Sequence, residues 1–332
     1  MSWRRIVFSV TSAGGVGPME TAKVAQLAAG LGAEVELFQC IFDPDVTRAG
    51  RFGTGGAQED IHEFVDRRRE QLEHSAERLR ARGVPVHTSV RWDYPIHEGI
   101  VRQVLRRKPS LLVAQSSRKG RAARLALTQT DYKLIETCPC PVLFIKNGRP
   151  YSDAVILAAV DPERAHGKPG TLDDGILDTA GMIRDALGGR LRVVHAGAPW
   201  EYAVHMNRKL RDLPEAVKEN VHGAYWNKLE EKVLALARRH NLPEDTVQVI
   251  EGDAAELLPL VARRQSAHIL ALGAVSRSRV GRAVIGHTAE RVLDELECDV
   301  LIVKPPDYQT QVRRQSMHHI PRSAAHRARY IL

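Results

Sequence analysis

Short apolar runs alternate with longer amphipathic ones along nearly the whole chain. Runs such as Ile6-Val7-Phe8 and Val142-Leu143-Phe144-Ile145 are almost unbroken. That pattern belongs to strands covered on both faces, since a half-exposed strand would alternate apolar with polar. The runs predict strands over about 5–11, 34–42, 85–91, 111–116 and 141–146, then about 154–160, 190–197, 246–251, 268–273 and 299–304. Between them the apolar spacing becomes helical, predicting helices over about 18–31, 58–82, 96–107, 130–138, 173–187, 215–240, 254–264 and 288–296. Strands alternating with helices specify parallel sheets with crossover connections.

The pattern also repeats. Cys140-Pro141-Val142-Leu143-Phe144-Ile145-Lys146 aligns with Cys298-Asp299-Val300-Leu301-Ile302-Val303-Lys304, 158 positions later. Walking back without gaps, Thr130 falls on Thr288 and Leu112-Val113-Ala114 on Leu270-Ala271-Leu272. Near the starts Ile6-Val7-Phe8-Ser9-Val10 matches Ile156-Leu157-Ala158-Ala159-Val160 at an offset of 150. One domain of about 150 residues has been duplicated, consistent with two domains in 332 residues. The halves are 1–150 and 151–304, and residues 305–332 lose the periodicity and read as a basic, flexible tail.

Charge follows the same division. The net +8 is made of +7 in residues 1–150, −3 in 151–304 and +4 in 305–332. A nucleic-acid binder with a continuous basic face is not indicated by that distribution. Arg67-Arg68-Arg69 lies among Glu63, Asp66, Glu70, Glu73 and Glu77, as on a solvated helix face laced with ion pairs. The four cysteines lack zinc-type spacing and disulfide-dense composition, so buried, reduced thiols in a cytoplasmic setting are expected. No run approaches the ~18 apolar residues of a membrane span, and the first residues lack the apolar stretch of a signal peptide.

In open α/β sheets, ligands bind beyond the C-terminal strand ends where strand order reverses. In the second half those ends are Asp161, after Val160, and Gly273, after Leu270-Ala271-Leu272. A carboxylate there can accept hydrogen bonds from an adenine amino group or a ribose hydroxyl. Gly286-His287-Thr288 then precedes a helix, where a glycine turn and a helix N-terminus suit a phosphate and Thr288 is a candidate N-cap.

The segment Leu272-Gly273-Ala274-Val275-Ser276, followed after nine residues by Gly286-His287-Thr288-Ala289-Glu290-Arg291-Val292, resembles the C-terminal signature of the universal stress protein family. Cys298-Asp299-Val300-Leu301-Ile302-Val303-Lys304-Pro305, Val160-Asp161-Pro162, Val193-Val194-His195 and Glu251-Gly252-Asp253-Ala254-Ala255-Glu256 extend the likeness. It covers both halves and is most similar to the family's tandem two-domain type. The resemblance implies two tandem, doubly wound, parallel five-stranded α/β sheets, each of strand order 3-2-1-4-5, adenine nucleotide alpha hydrolase-like. It also implies pairing through the fifth strands, as a pseudo-dimer within one chain or a homodimer between chains. Some members bind ATP through Gly-x2-Gly-x9-Gly-Ser/Thr and an aspartate after the first strand. Here Asp161, Gly273 and Gly286 match, Ser276 replaces the second glycine and His287 the small hydroxyl residue. The nucleotide-binding candidates, for ATP or another adenine nucleotide, are therefore Asp161, Gly273, Ser276, Gly286, His287 and Thr288.

The first half departs further: Thr11, Gln115, Arg118 and Thr128 stand where Asp161, Gly273, Ser276 and Gly286 stand. Asp131 at the next helix start would oppose a phosphate, so no nucleotide site of the family type is expected there. Arg118, Lys119, Arg121 and Arg124 make a basic loop at the same strand end. No Gly-x-Ser-x-Gly, His-Glu-x-x-His or defined Ser-His-Asp set is present. His195 reads as a strand residue, and His318-His319 lies in the tail without further ligands nearby. The expectation is a non-catalytic stress-response sensor or interaction module with a small ligand in its second half. Its alternatives are a weak ATPase or phosphoryl-transfer enzyme, and an anionic partner such as nucleic acid held by the basic first half and tail.

Overall fold

The computed structural model describes residues 4–12, 15–44, 57–115, 127–163, 170–198, 200, 204–205, 207–274 and 287–315, with backbone alone for 57–60 and 287–290. The first half runs β1 (Arg5–Ser9), α1 (Pro18–Leu31), β2 (Glu34–Ile41), α2 (Ala57–Arg80), β3 (Val86–Trp92), α3 (Ile96–Arg107), β4 (Leu111–Gln115), α4 (Gln129–Thr137) and β5 (Val142–Ile145). The second runs β6 (Val155–Ala159), α5 (Thr171–Leu187), β7 (Arg190–Gly197), a short α6 (Arg208–Arg211), α7 (Glu215–Arg239), β8 (Val247–Glu251), α8 (Ala254–Arg264), β9 (Ile269–Gly273), α9 (His287–Glu295) and β10 (Asp299–Val303). The expected strands and helices are all present, and α6 is one that periodicity over four residues could not signal.

Each half has strand order 3-2-1-4-5, but the two sheets expected from the sequence are fused into one. Its order is β3-β2-β1-β4-β5-β10-β9-β6-β7-β8. Pairs within each half are parallel, and β5 meets β10 antiparallel. A fifth strand left unpaired would expose a row of N–H and C=O groups, and the fusion covers both rows at once. Leu143 opposes Leu301 in this junction, with Phe144 opposite Val300 and Val142 opposite Ile302. The paired leucines are 158 positions apart, the sequence repeat, so the halves are related by a pseudo-twofold axis between them. One apolar core, with Val24 of α1, Leu72 of α2, Ile176 of α5 and Val233 of α7, runs under one sheet face. The other, with Val101 of α3, Leu134 of α4, Val261 of α8 and Val292 of α9, runs under the opposite face. Both cross the junction.

The axis also brings α1 against α5. A Cβ on Gly30 would lie 1.9 Å from the Ala186 carbonyl oxygen, so only glycine permits this approach. Both helices end in left-handed glycines, Gly32 (φ 60°) and Gly188 (φ 59°).

Polar groups buried at the junction pair across it. Asp299 on β10 is fully buried and accepts from Lys23 Nζ (2.5 Å) and Tyr151 OH (2.6 Å) through Oδ2. Its Oδ1 accepts from the backbone N–H groups of Lys146 (2.8 Å) and Asn147 (3.2 Å). Lys23 is only 1% exposed, also donates to both Asn147 oxygens, and lies over the Tyr151 ring. The lysines ending each fifth strand exchange partners. Lys146 donates to the carbonyls of Leu293 and Leu296 at the end of α9, and Lys304 to that of Glu136 in the last turn of α4. Each places a cation at a helix C-terminus belonging to the other half.

The segment after β10 corrects the expectation of a tail that is flexible from residue 305. Through Gln315 it lies against the first half: Tyr308 OH donates to Glu136 O (2.6 Å), buried Arg102 donates through Nε to Arg313 O (3.1 Å), and Val312 packs on the second core. Residues 316–332, with His318-His319, lie outside the described residues. Of the arginine triplet, Arg67 and Arg69 pair with Glu63 and Asp66 on the helix surface as expected. Arg68 instead packs over the Phe64 ring. All four cysteines are free thiols; burial raises Cys40 above its ordinary range and pushes Cys298 up to about 12.

Candidate functional site

The strand-order reversal in the second half falls at β6, which pairs with β7 on one side and β9 on the other. Asp161 follows the end of β6, and its backbone N–H donates to Oδ1 of buried Asp173 in the first turn of α5 (3.0 Å). The carboxylate-bearing residue is thereby fixed at the crevice. Gly273 ends β9, as expected, and has a packing reason for being glycine. A Cβ there would stand 2.8 Å from Leu172 Cδ2 and 3.0 Å from Ile176 Cδ1, where α5 passes close over the strand end. Ser276 and Gly286 lie outside the described residues, as does the basic loop with Arg118, Lys119, Arg121 and Arg124. His287 is the first residue of α9, so Thr288 sits inside the first turn and is not the N-cap the sequence suggested. The structure thus brings Asp161 and Gly273 to neighbouring strand ends, with α9 starting after the connection from β9.

Further groups gather at this edge, His195 on its strand as read from the sequence and an aromatic cluster that the sequence reading missed. His195, 3% exposed on β7, has Nδ1 2.8 Å from the Val160 carbonyl oxygen. A carbonyl can only accept, so a proton sits on Nδ1, and Nε2 is the ring nitrogen left to meet a ligand. That Nε2 is buried without a hydrogen-bond partner, as is Trp226 Nε1. Gly197, two residues on from His195 and therefore on the same sheet face, would meet Trp226 at 2.7 Å with any Cβ. The Trp200 and His222 rings stack at 4.9 Å, and Trp226 meets both His222 and Tyr225 edge-on. Glu251, at the end of β8, holds this group by accepting from the Trp200 N–H (2.7 Å) and contacting His222 Nε2 (3.2 Å). Glu163 accepts from Tyr225 OH, and burial with this contact raises the phenol's pKa. The signal available was on α7: His222, Tyr225, Trp226 and Leu229 follow the i, i+3, i+4, i+7 spacing of one helix face.

The equivalent place in the first half is tied up by its own side chains. Thr11 Oγ1 donates to Gln115 O (3.2 Å), so the two residues replacing Asp161 and Gly273 bridge β1 and β4. At the start of α4, Thr128 and Asp131 form a reciprocal capping box. Thr128 N–H donates to Asp131 Oδ2 (2.8 Å) and Asp131 N–H to Thr128 Oγ1 (3.3 Å). Thr-x-x-Asp over 128–131 announces this box in the sequence. Among the described residues no group of three His, Cys, Asp or Glu side chains could hold a metal. No helix among them is long and apolar enough to cross a membrane.

Fold and strand-end sites together define a duplicated, doubly wound α/β protein with two non-equivalent crevices. Comparison with known proteins gives the class its family. The model of the "Universal stress protein family" matches residues 21–146 and again 155–304, and the chain belongs to that family with its domain present in tandem. It is similar to "Universal stress protein E" of Escherichia coli (strain K12), 27% identical over 231 residues, or 69% of this chain and 72% of the relative. The "Universal stress protein E homolog" of Haemophilus influenzae is 24% identical over 250 residues, covering 74% and 79%. Among solved structures, a functionally unknown protein from Pseudomonas aeruginosa PAO1 superposes with a TM-score of 0.69 at 26% identity, covering 92% of this chain and 94% of the other. A universal stress protein from Archaeoglobus fulgidus shares the fold at a TM-score of 0.59 and 15% identity, covering 92% and 99%.

Proposed function

We propose that this stress-response protein acts as a non-catalytic sensor or interaction module that binds an adenine nucleotide, such as ATP, at the strand-end crevice of its second half. The observation carrying the reading is Asp161. It stands where strand order reverses and is anchored by buried Asp173, while its counterpart Thr11 is spent on an internal bridge. His195 Nε2, buried without a partner nearby on β7, supports a ligand that brings hydrogen-bonding groups. Ribose hydroxyls and an adenine amino group are such groups. In this reading Gly273 keeps the crevice floor low, and Ser276, Gly286, His287 and Thr288 take the phosphates at the positive end of α9.

Equilibrium titration of the full chain with ATP tests it. One site per chain is expected, weakened at least tenfold in Asp161→Ala and in Gly286→Glu, with no phosphate release above background. Absence of binding, or binding indifferent to both substitutions, would refute the site. Turnover that disappears in Asp161→Ala would replace the sensor with an enzyme.

A further inference from the structure

The first half holds a cavity of about 560 Å³ at its own strand ends. We propose that this cavity binds an uncharged, aromatic small molecule carrying no phosphate. It lies where the ends of β1 and β2 meet α2, α3 and the start of α4, walled by Phe42, Phe64, Ile96 and Ile100. Its volume is that of a small-molecule site, which typically spans ~300–1,000 Å³.

Three features set the ligand class. The wall is backed by an aromatic group: Phe42 lies 5.6 Å from Trp92 and 4.6 Å from Tyr94, and Phe64 meets Trp92 edge-on at 6.2 Å. Such rings favour an aromatic guest through offset and edge-on contacts beyond area burial. Among the described residues the charged side chains at the lining are Asp43 and Arg68, one of each sign. Phosphate is selected against. At the start of α4, which lines the cavity at Thr128, the capping box takes up the N–H groups of Thr128 and Asp131 and sets the Asp131 carboxylate against an incoming anion. Hydroxyls of Ser9 and Thr128 and the Gln39 amide supply a polar end to orient the guest. The duplicated domain thus carries two differently specified sites, one ending in a carboxylate and one walled partly by aromatic and aliphatic side chains.

The probe is N-phenyl-1-naphthylamine, a neutral aromatic fluorophore, titrated into the full chain. Saturable binding of one probe per chain is expected, undisturbed by saturating ATP and weakened at least tenfold in Ile96→Trp, which fills the cavity. A second readout needs no filled cavity. Trp92 lies behind the wall and should transfer excitation to the bound probe, and Trp92→Phe should abolish that component. Non-saturable binding or displacement by ATP would overturn the proposal. So would unchanged affinity in a folded Ile96→Trp protein, or unchanged transfer in Trp92→Phe.

Discussion

Removing the Asp299 carboxylate is the sharpest test of how the two halves are joined. Asp299 and Lys23 have side chains 0% and 1% exposed, one on β10 and the other on α1. Asp299→Ala removes four acceptor contacts, those to Lys23, Tyr151 and the backbone of Lys146 and Asn147. It leaves an ammonium buried without its counter-charge, a change that typically costs ~3–5 kcal/mol. Unfolding entropy of about 2.1 cal/mol/K per residue gives roughly 0.7 kcal/mol/K for this chain, so the midpoint should fall by ~4–7 °C. Scanning calorimetry at neutral pH reads this directly, and loss of the tie should also broaden or split the transition. Adding Lys23→Met removes the stranded charge, so the double variant should recover part of the loss. A single variant melting within ~1 °C of wild type, or a double variant costing the sum of its parts, would refute the reasoning.

Burial lowers the pKa of Lys304 to about 8, against an ordinary value near 10.4. Between those values the unfolded chain keeps a proton the folded chain has released, so this group's contribution rises with pH. From pH 7.5 to 9.5 the wild type should gain on the order of 1–2 kcal/mol on Lys304→Met in denaturant titrations. The difference between the proteins is the quantity to measure, because buried thiols with raised pKa values work in the opposite direction. Gly30→Ala should cost ~1–3 kcal/mol, since its Cβ would collide with the Ala186 carbonyl. Gly181→Ala, in α5 with nothing within 4 Å of the added methyl, should instead stabilise by up to ~1 kcal/mol; equal effects would refute the close approach. Thr128→Ala should lose the cap of α4 and about 1 kcal/mol, measured by thermal unfolding.

The strands and helices were legible because most strands are buried on both faces, which leaves unbroken runs such as Leu111-Leu112-Val113. The junction was legible too, as the pairing through the fifth strands that the family resemblance implies. What stayed hidden depends on distances between remote positions. Nothing around Lys23 in sequence marks it as the buried partner of a residue 276 positions away. Gly30 looks like an ordinary small residue in an alanine-rich helix until α5 is laid against it. At the site, Asp161 could be placed because strand-end positions follow from topology. His195 could be read as a strand residue, but its buried Nε2 without a partner and the ring contacts made by α7 could not, because they are defined by what the rings meet.

The repeat also dictates what should happen when the chain is cut at residue 150. The glycines closing α1 and α5 align Gly32 with Gly188, which places Lys23 on Thr179 and Gly30 on Ala186. The fifth strands align Pro141 with Asp299. A homodimer of the first half would therefore set Lys23 against Pro141, burying an ammonium with no carboxylate. A homodimer of the second would set Asp299 against Thr179 and crowd Ala186 against its own copy, where the native pairing offers Gly30. The natural combination alone supplies the lysine, its carboxylate and the glycine. Each half on its own also loses the partner of its terminal lysine and exposes the edge of its fifth strand. Fragments 1–150 and 151–332 should therefore be poorly folded when produced separately and should form a one-to-one complex when refolded together. Sedimentation and near-ultraviolet circular dichroism measure both states. Stable, fully folded homodimers of either fragment would show that the buried pair does not select the partner.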